Sequence, residues 1–332
     1  MRSSSRRSFA LHSAVCGALL ACALEAEPAC ALRLAGRALD LPAEIEVRDL
    51  PDEAAKTAIE AAFAELGRAP LVLRALEEAA ATGRPVALDA VTKPLVERAL
   101  GFCFWSEGVV GPLGGELFRL LGLRAPVTAL PTPEALDAAT SSARCEHASY
   151  DAAAATLTVA SGTRLDFFPF ETGWAVDRAV EILRARGAVN LDVVVGNVRR
   201  SQGGGLHGAG WRVDPAPAPG ADSPVTPFYL RDRAFALVSP GDRPLKIAGD
   251  SIVPYVDQRS GRTAGGVAQL YVVAELGADA EALAYAMFAL GPGNGTLRLG
   301  GLTPRPSILW LLGNGEGPPV TTDYNWSAVP RH

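Results

Sequence analysis

The sequence predicts an α+β fold, and three observations carry that expectation. Helical and strand patterns are mixed along the chain without strict β-α-β alternation. Several strand patterns crowd into the stretch from Leu191 to Ala274. Close to half of the 332 residues are apolar, enough for a sizeable core in one large domain or two modest ones.

The elements follow in order. Ile45 and Val47 alternate with Glu44, Glu46 and Arg48, the period of a half-buried strand. Pro51 and Asp52 open a helix whose Ile59, Phe63 and Leu66 share a face, with Gly67 as its expected stop. Pro94 starts a second helix running through Leu100, and Thr132-Pro133 is a cap followed by a first-turn proline for a third. "ATLTVASG" reads as a strand and turn. It leads into "DFFPFETGWAVD" and a helix from Gly173 to Gly187, with both glycines read as helix punctuation. Strands are expected at Leu191–Val195, Trp211–Val213, Phe235–Val238, Leu245–Ile247 and Val267–Ala274. "DPAPAPGADSPVTP" is expected as a surface loop. A last helix, from Asp279 to Leu290, puts Leu283, Met287 and Leu290 on one face and ends at Gly291. "SILWLLGNGEGPPV" closes the chain as a strand, a turn and an extended piece.

The net charge of -5, with basic runs confined to the N-terminus, argues against nucleic acid as a partner. Residues 1–29 read as a signal peptide, with a basic head, an apolar run from Phe9 to Leu24 and small residues after it. The run is too short to span a bilayer, which takes about 20 apolar residues. Arg6-Arg7 resembles a twin-arginine export signal. "LLAC" resembles a lipoprotein cleavage box. Cys22 is then either the lipidated first residue of the mature chain or an ordinary apolar signal residue. The expected location is outside the cytoplasm, in the periplasm, with membrane attachment in the lipidated case. Cys30, Cys103 and Cys145 remain, too few for a disulfide framework but enough for one bridge in an oxidising compartment. They form no zinc-type spacing.

Residues 166–187, "DFFPFETGWAVDRAVEILRARG", raise a chemical question. A strand-to-helix turn ahead of a helix start usually favours glycine, so that backbone amides can approach an anion. Here it carries Phe167, Phe168, Pro169 and Phe170. Together with "VVVGNVR" and "WRVDP", "YVDQRSGR", "AEALAYAMFALGPGNG" and the upstream "FWSEGVVGPL", this stretch resembles the ApbE family of FAD:protein FMN transferases. The order is kept, and the likeness spans residues 30–332 as a single flavin transferase domain.

That resemblance implies an exported enzyme that splits FAD at its diphosphate and attaches FMN to a Thr or Ser of a target flavoprotein, with Mg²⁺ assisting. It carries flavin-binding roles onto Asp166, Thr172, Trp105, Ser106 and Glu107. It carries metal-ligand roles onto Glu281, Ala284, Tyr285 and the carbonyl of Pro169. The chain departs from the family pattern at these positions. Phe168 and Pro169 replace glycine or small residues, and Glu281 replaces Asp. Tyr285 replaces Thr, Pro254 replaces His, and Val193, Val195 and Asn197 replace Asn, Gly and Asp. The expectation is therefore an eroded site in which FMN transfer is weak or lost. The alternative is a non-catalytic relative that binds flavin or a protein partner.

Each candidate also has a plainer reading. Glu281 is a solvated first-turn Glu favoured by the helix dipole, Tyr285 is pocket lining, and Asp166 caps its local turn. Trp105 is a buried aromatic beside Phe102 and Phe104, Asp177 hydrogen-bonds a neighbouring loop, and His207 sits exposed in a glycine-rich loop.

Overall fold

The computed structural model describes residues 31–217, 224–241, 245–247, 250–263, 265–313 and 318–331. The signal segment, Cys22, Cys30, part of the proline-rich loop and the Asn-Gly of the Gly-Asn-Gly turn lie outside the described residues.

Its frame is an eight-stranded sheet of β1 (Leu32–Ala38), β2 (Leu41–Val47), β3 (Leu191–Val195), β4 (Val198–Gln202), β5 (Arg233–Val238), β6 (Val267–Ala274), β7 (Ser307–Leu312) and β8 (Val320–Tyr324). Neighbours in the sheet are neighbours in this order, and every pair is antiparallel. The helices are α1 (Asp52–Ala80), α2 (Lys93–Trp105), α3 (Gly115–Leu120), α4 (Pro133–Ser142), α5 (Glu171–Ala185) and α6 (Gly277–Leu299). All but α6 are inserted between β2 and β3. The α+β expectation holds. Among the described residues no helix is long and apolar enough to cross a membrane.

β6 shows why its apolar run was readable as a strand. Leu270, Val272 and Ala274 enter the large core under the helices, while Tyr271 and Val273 enter a second core on the opposite face with Phe228 and Trp326. A strand covered on both faces needs no polar alternation.

Three expectations need correction. β1 was missed: the β1–β2 turn takes φ of 50° at Leu39 and 59° at Asp40, the left-handed pair of a tight hairpin. The Asn-Gly signal that usually marks such a turn is absent. α1 does not stop at Gly67 but continues through Pro70 to Ala80. Gly costs a helix about 1 kcal/mol and Pro about 3 kcal/mol. The apolar face continues past both, however, with Ala69, Leu73, Leu76 and Ala80 buried, and each buried leucine returns roughly 1.5–3 kcal/mol. α2 likewise runs on to Trp105. α6 does break at Gly291, where φ is 68° and ψ 175°, and a further helical segment follows. α4 begins as expected, with the Thr132 hydroxyl accepting the Ala135 N–H at 3.2 Å.

Candidate functional site

The turn into α5 is held by charge. The Asp166 amide donates to the Pro112 carbonyl at 2.7 Å. Its carboxylate accepts the Phe168 N–H at 2.8 Å, so Asp166 does cap its own turn. Arg124 grips the same carboxylate through Nε, at 2.9 Å to Oδ2, and through Nη2. Its Nη1 donates to Glu171 at 2.6 Å. Burial works to lower the Arg124 pKa, but the bonds and charges of Asp166 and Glu171 outweigh it and raise the pKa. On the inner side, Glu77 of α1 accepts the Phe167 N–H at 3.1 Å. Burial first, and the Asp166 charge next, push Glu77 up to about 7, against the Phe167 hydrogen bond and Arg124.

The rings of the turn fill the space above this cluster. Phe167 and Phe170 are fully buried, and Phe168 nearly so. The Phe168 ring lies 5.2 Å from Phe118 and meets Tyr285 edge-on at 5.6 Å, with the Arg124 guanidinium 5.0 Å over its face. Tyr285 continues to Tyr255 at 4.9 Å, and Tyr255 to Phe288 at 4.9 Å. One file of aromatic contacts thus links α3, the turn and α6.

α5 and α6 cross where Gly173 meets Gly277. A Cβ on Gly173 would stand 2.1 Å from the Gly277 carbonyl oxygen, so only glycine permits the crossing. This corrects the reading of Gly173 as punctuation; Gly187, at φ +92°, does end its helix. Next to the crossing, Asp177 accepts the Gly277 and Ala278 N–H groups at 2.7 and 3.0 Å and pairs with Arg200 at 2.7 Å. It satisfies α6 amides that have no partner within their own helix. Burial raises the Asp177 pKa, opposed by Arg200 and the two amides. The expected bond from Asp177 to a neighbouring segment is present.

Between these helix starts and the edges of β2, β4 and β5 opens a cleft of about 290 Å³, with Thr172, Asn197, Tyr255, Glu281 and Tyr285 on its walls. It brings together three of the expected residues: Thr172, Glu281 and Tyr285. Glu281 is not the solvated first-turn residue of the plainer reading. It is 4% exposed and accepts the Gly173 N–H through Oε2 at 2.8 Å. The crossing of two helices buries it, and no pattern local to α6 announces that.

The remaining candidates lie elsewhere. Asp166 is clamped under the turn, Pro169 is buried within it, and Ala284 is fully buried. Trp105 is half-buried, edge-on to Phe102 at 5.6 Å, and faces a different cavity; Phe104 beside it points outward, 57% exposed. Ser106 is fully buried, its hydroxyl donating to the Val110 carbonyl at 3.0 Å. Glu107 is exposed and paired with Arg298 at 2.6 Å. His207 is exposed, as expected. Cys103 and Cys145 form a disulfide.

The donor set does not fit Mg²⁺. That ion takes near-octahedral oxygen ligands, among them one or two carboxylates. Among the described residues no group of three or more His, Cys, Asp or Glu gathers for a metal. Glu281 already holds an amide, Asp166 is committed to Arg124, and the Tyr285 ring is set between Phe168 and Tyr255. Sequence reasoning missed Arg124, Glu77 and Tyr255. Arg124 stands 42 positions from Asp166, and nothing in the sequence between them signals the pair.

Comparison with known proteins agrees with this architecture. The sequence profile of the ApbE family matches residues 43–299. An ApbE protein from Thermotoga maritima is similar at a TM-score of 0.80 and 21% identity, covering 91% of this chain and 100% of its own. The flavin transferase ApbE from Vibrio cholerae gives 0.73 and 20%, covering 91% and 100%. The flavinyl transferase ApbE from Pseudomonas stutzeri, in its apo form, gives 0.74 and 19%, covering 90% and 95%. At these identities the likeness to the solved structures is one of fold. No curated protein matches the chain by sequence.

Proposed function

This chain belongs to the ApbE family, and from that premise we propose that it is an exported flavin transferase relative whose Mg²⁺-dependent FMN transfer is lost or reduced to a residual rate. The reaction at issue joins FMN, through its phosphorus, to a Thr or Ser oxygen of a periplasmic target flavoprotein. The hydroxyl loses its proton, and AMP leaves from the split diphosphate of FAD. Such chemistry needs room for the diphosphate and charge neutralisation on its oxygens.

One observation carries the reading: the buried Phe168 ring packs edge-on against Tyr285, which borders the cleft, where the family pattern has a glycine and a threonine. Two features add support. The cleft carboxylate, Glu281, already accepts the Gly173 amide. The cleft, at about 290 Å³, falls at the bottom of the ~300–1,000 Å³ range of small-molecule pockets, and a dinucleotide needs more than that minimum. The Cys103–Cys145 bridge fits an oxidising compartment and hence export. The lipid at Cys22 belongs to the same proposal, as a tether to the membrane.

The test incubates the mature protein with FAD, Mg²⁺ and a family-type acceptor domain, and seeks covalent FMN by mass spectrometry. No product is expected in the time a motif-complete member takes to finish. Comparable turnover would overturn the proposal. Restoring Phe168→Gly, Pro169→Gly, Glu281→Asp and Tyr285→Thr together should bring transfer back, each ~1.4 kcal/mol of regained transition-state stabilisation counting tenfold in rate. Titration with FAD separates the two forms of a silent protein. Bound flavin marks a flavin-binding module, and a protein that ignores FAD marks a partner role.

A further inference from the structure

A second cavity lies on the other side of α6. Glu281 and Tyr285 face the cleft described above. Asp279 and Leu283 sit roughly 200° away at 100° per residue and line a hollow of about 520 Å³ between α2, the start of α6 and the loop before β7. That volume falls well inside the ~300–1,000 Å³ range of small-molecule pockets. Of the family-type candidates, only Trp105 borders it; Thr172, Glu281 and Tyr285 face the other cleft.

Its walls and its charges have distinct characters. Phe102 and Trp105 present rings set edge-on at 5.6 Å. The Trp105 Nε1–H is used up on the Arg298 carbonyl at 3.1 Å, which fixes the indole and leaves its carbon surface to the hollow. Leu283, Leu302 and Pro304 continue the apolar wall.

Negative charge prevails among the ionisable groups. Asp279 accepts Arg98 Nη1 with both oxygens at 2.9 Å. Glu97, at the rim, accepts the Tyr150 hydroxyl at 2.6 Å and has Lys93 4.0 Å away. Glu275 is exposed at the opposite rim and makes no ion pair among the described residues. Three carboxylates therefore face two cations, one of which stands at the periphery. The crowding registers on Asp279, which burial pushes up to about 6 against the pull of Arg98, with Asp177 and Glu275 adding to the rise.

We propose that this hollow is a binding site for a small organic cation with an aromatic or branched apolar body, its charge set toward Glu275 and its body against Trp105, Phe102 and Leu283. An aromatic wall and an unpaired carboxylate are complementary to such a molecule on two counts. Cation–π attraction contributes where the charge passes a ring face, and Coulomb attraction to Glu275 acts from the rim. A neutral ligand of the same shape would gain only the apolar part.

The probe pair is 2-phenylethylammonium and its neutral near-isostere 2-phenylethanol, titrated by calorimetry at pH 7.5 into the mature protein. The cation is expected to saturate one site, with the alcohol binding at least about tenfold more weakly, a difference of about 1.4 kcal/mol. Glu275→Gln, at an exposed position that leaves the fold intact, should weaken the cation by roughly three- to tenfold and leave the alcohol unchanged. Trp105→Leu should abolish both. FAD should not compete. The proposal is overturned if neither probe binds, if the two bind alike, if Glu275→Gln has no effect, or if FAD displaces the cation.

Discussion

Glu77→Gln should stabilise the protein at neutral and alkaline pH and do nothing at acid pH. Glu77 is held near the Phe167 amide, facing Asp166, Arg124 and Glu171, and its pKa rises from an ordinary 4.5 to about 7. A folded-state pKa above the unfolded one means that the folded protein binds the proton more tightly. The resulting stability is complete below the unfolded value and is lost as pH rises through about 7. At about 1.36 kcal/mol per pH unit, the gap sets a ceiling of about 3.4 kcal/mol. Relaxation and water entry reduce this, so a gain of roughly 1–3 kcal/mol is expected at pH 8. Gln keeps a carbonyl oxygen for the Phe167 N–H and turns its amide NH₂ toward the acidic neighbours. The assay is urea unfolding of both proteins at pH 4.5 and at pH 8. The difference between them cancels every other titrating group. Equal differences at the two pH values, or a variant less stable at pH 8, would refute the account of this cluster.

Three further outcomes follow from the fold. Replacing Cys103 and Cys145 by Ala should cost about 4 kcal/mol, the chain-entropy value for a bridge spanning 42 positions, and lower the melting temperature by about 6 °C. Both cysteines are buried, so dithiothreitol should free their thiols only after denaturant is added, as thiol labelling would show. Asp177→Ala should destabilise by roughly 3–5 kcal/mol, because Arg200 and two α6 amides lose their buried partner; Asp177→Asn, which keeps an acceptor oxygen, should cost less, and equal losses would point to packing instead. Export through the twin-arginine route predicts that Arg6→Lys with Arg7→Lys strands the protein in the cytoplasm, and a lipidated Cys22 predicts that Cys22→Ser moves it from membrane to soluble fractions.

What the sequence made legible has a physical boundary. Local signals were readable: the strand at Val267–Ala274, the Thr132 cap, the Gly187 stop and the break at Gly291 all depend on residues within a few positions of one another. Features set by distant partners were not. Gly67 and Pro70 argue locally for a break that the buried leucines beyond them overrule. The Arg124–Asp166 clamp, the Gly173–Gly277 crossing, the cysteine pairing and the burial of Glu281 each join segments that only the folded sheet brings together. For the same reason the resemblance ordered the motifs correctly along the chain but did not gather all their residues: Trp105, Ser106 and Glu107 ended away from the cleft that holds Thr172, Glu281 and Tyr285.

The departures at Phe168 and Tyr285 are coupled by direct contact. Independent substitutions would leave a void where a side chain shrank and a clash where one grew. Instead, Phe168, at a family glycine position, meets Tyr285, at a family threonine position, in an edge-on contact at 5.6 Å, and Tyr285 passes the contact to Tyr255. Pairs of this geometry contribute roughly 0.5–1.5 kcal/mol beyond the area they bury. Removing either ring alone would leave the other against a void, at roughly 3–5 kcal/mol for a buried phenylalanine. Arg124 adds to the lock by lying over Phe168 while it holds Asp166. These contacts form a packed and charge-buttressed joint between α3, α5 and α6, so its residues contribute to stability. On the proposed reading, making room for FAD requires changing both rings together, which is why the restoration of transfer is a combined substitution.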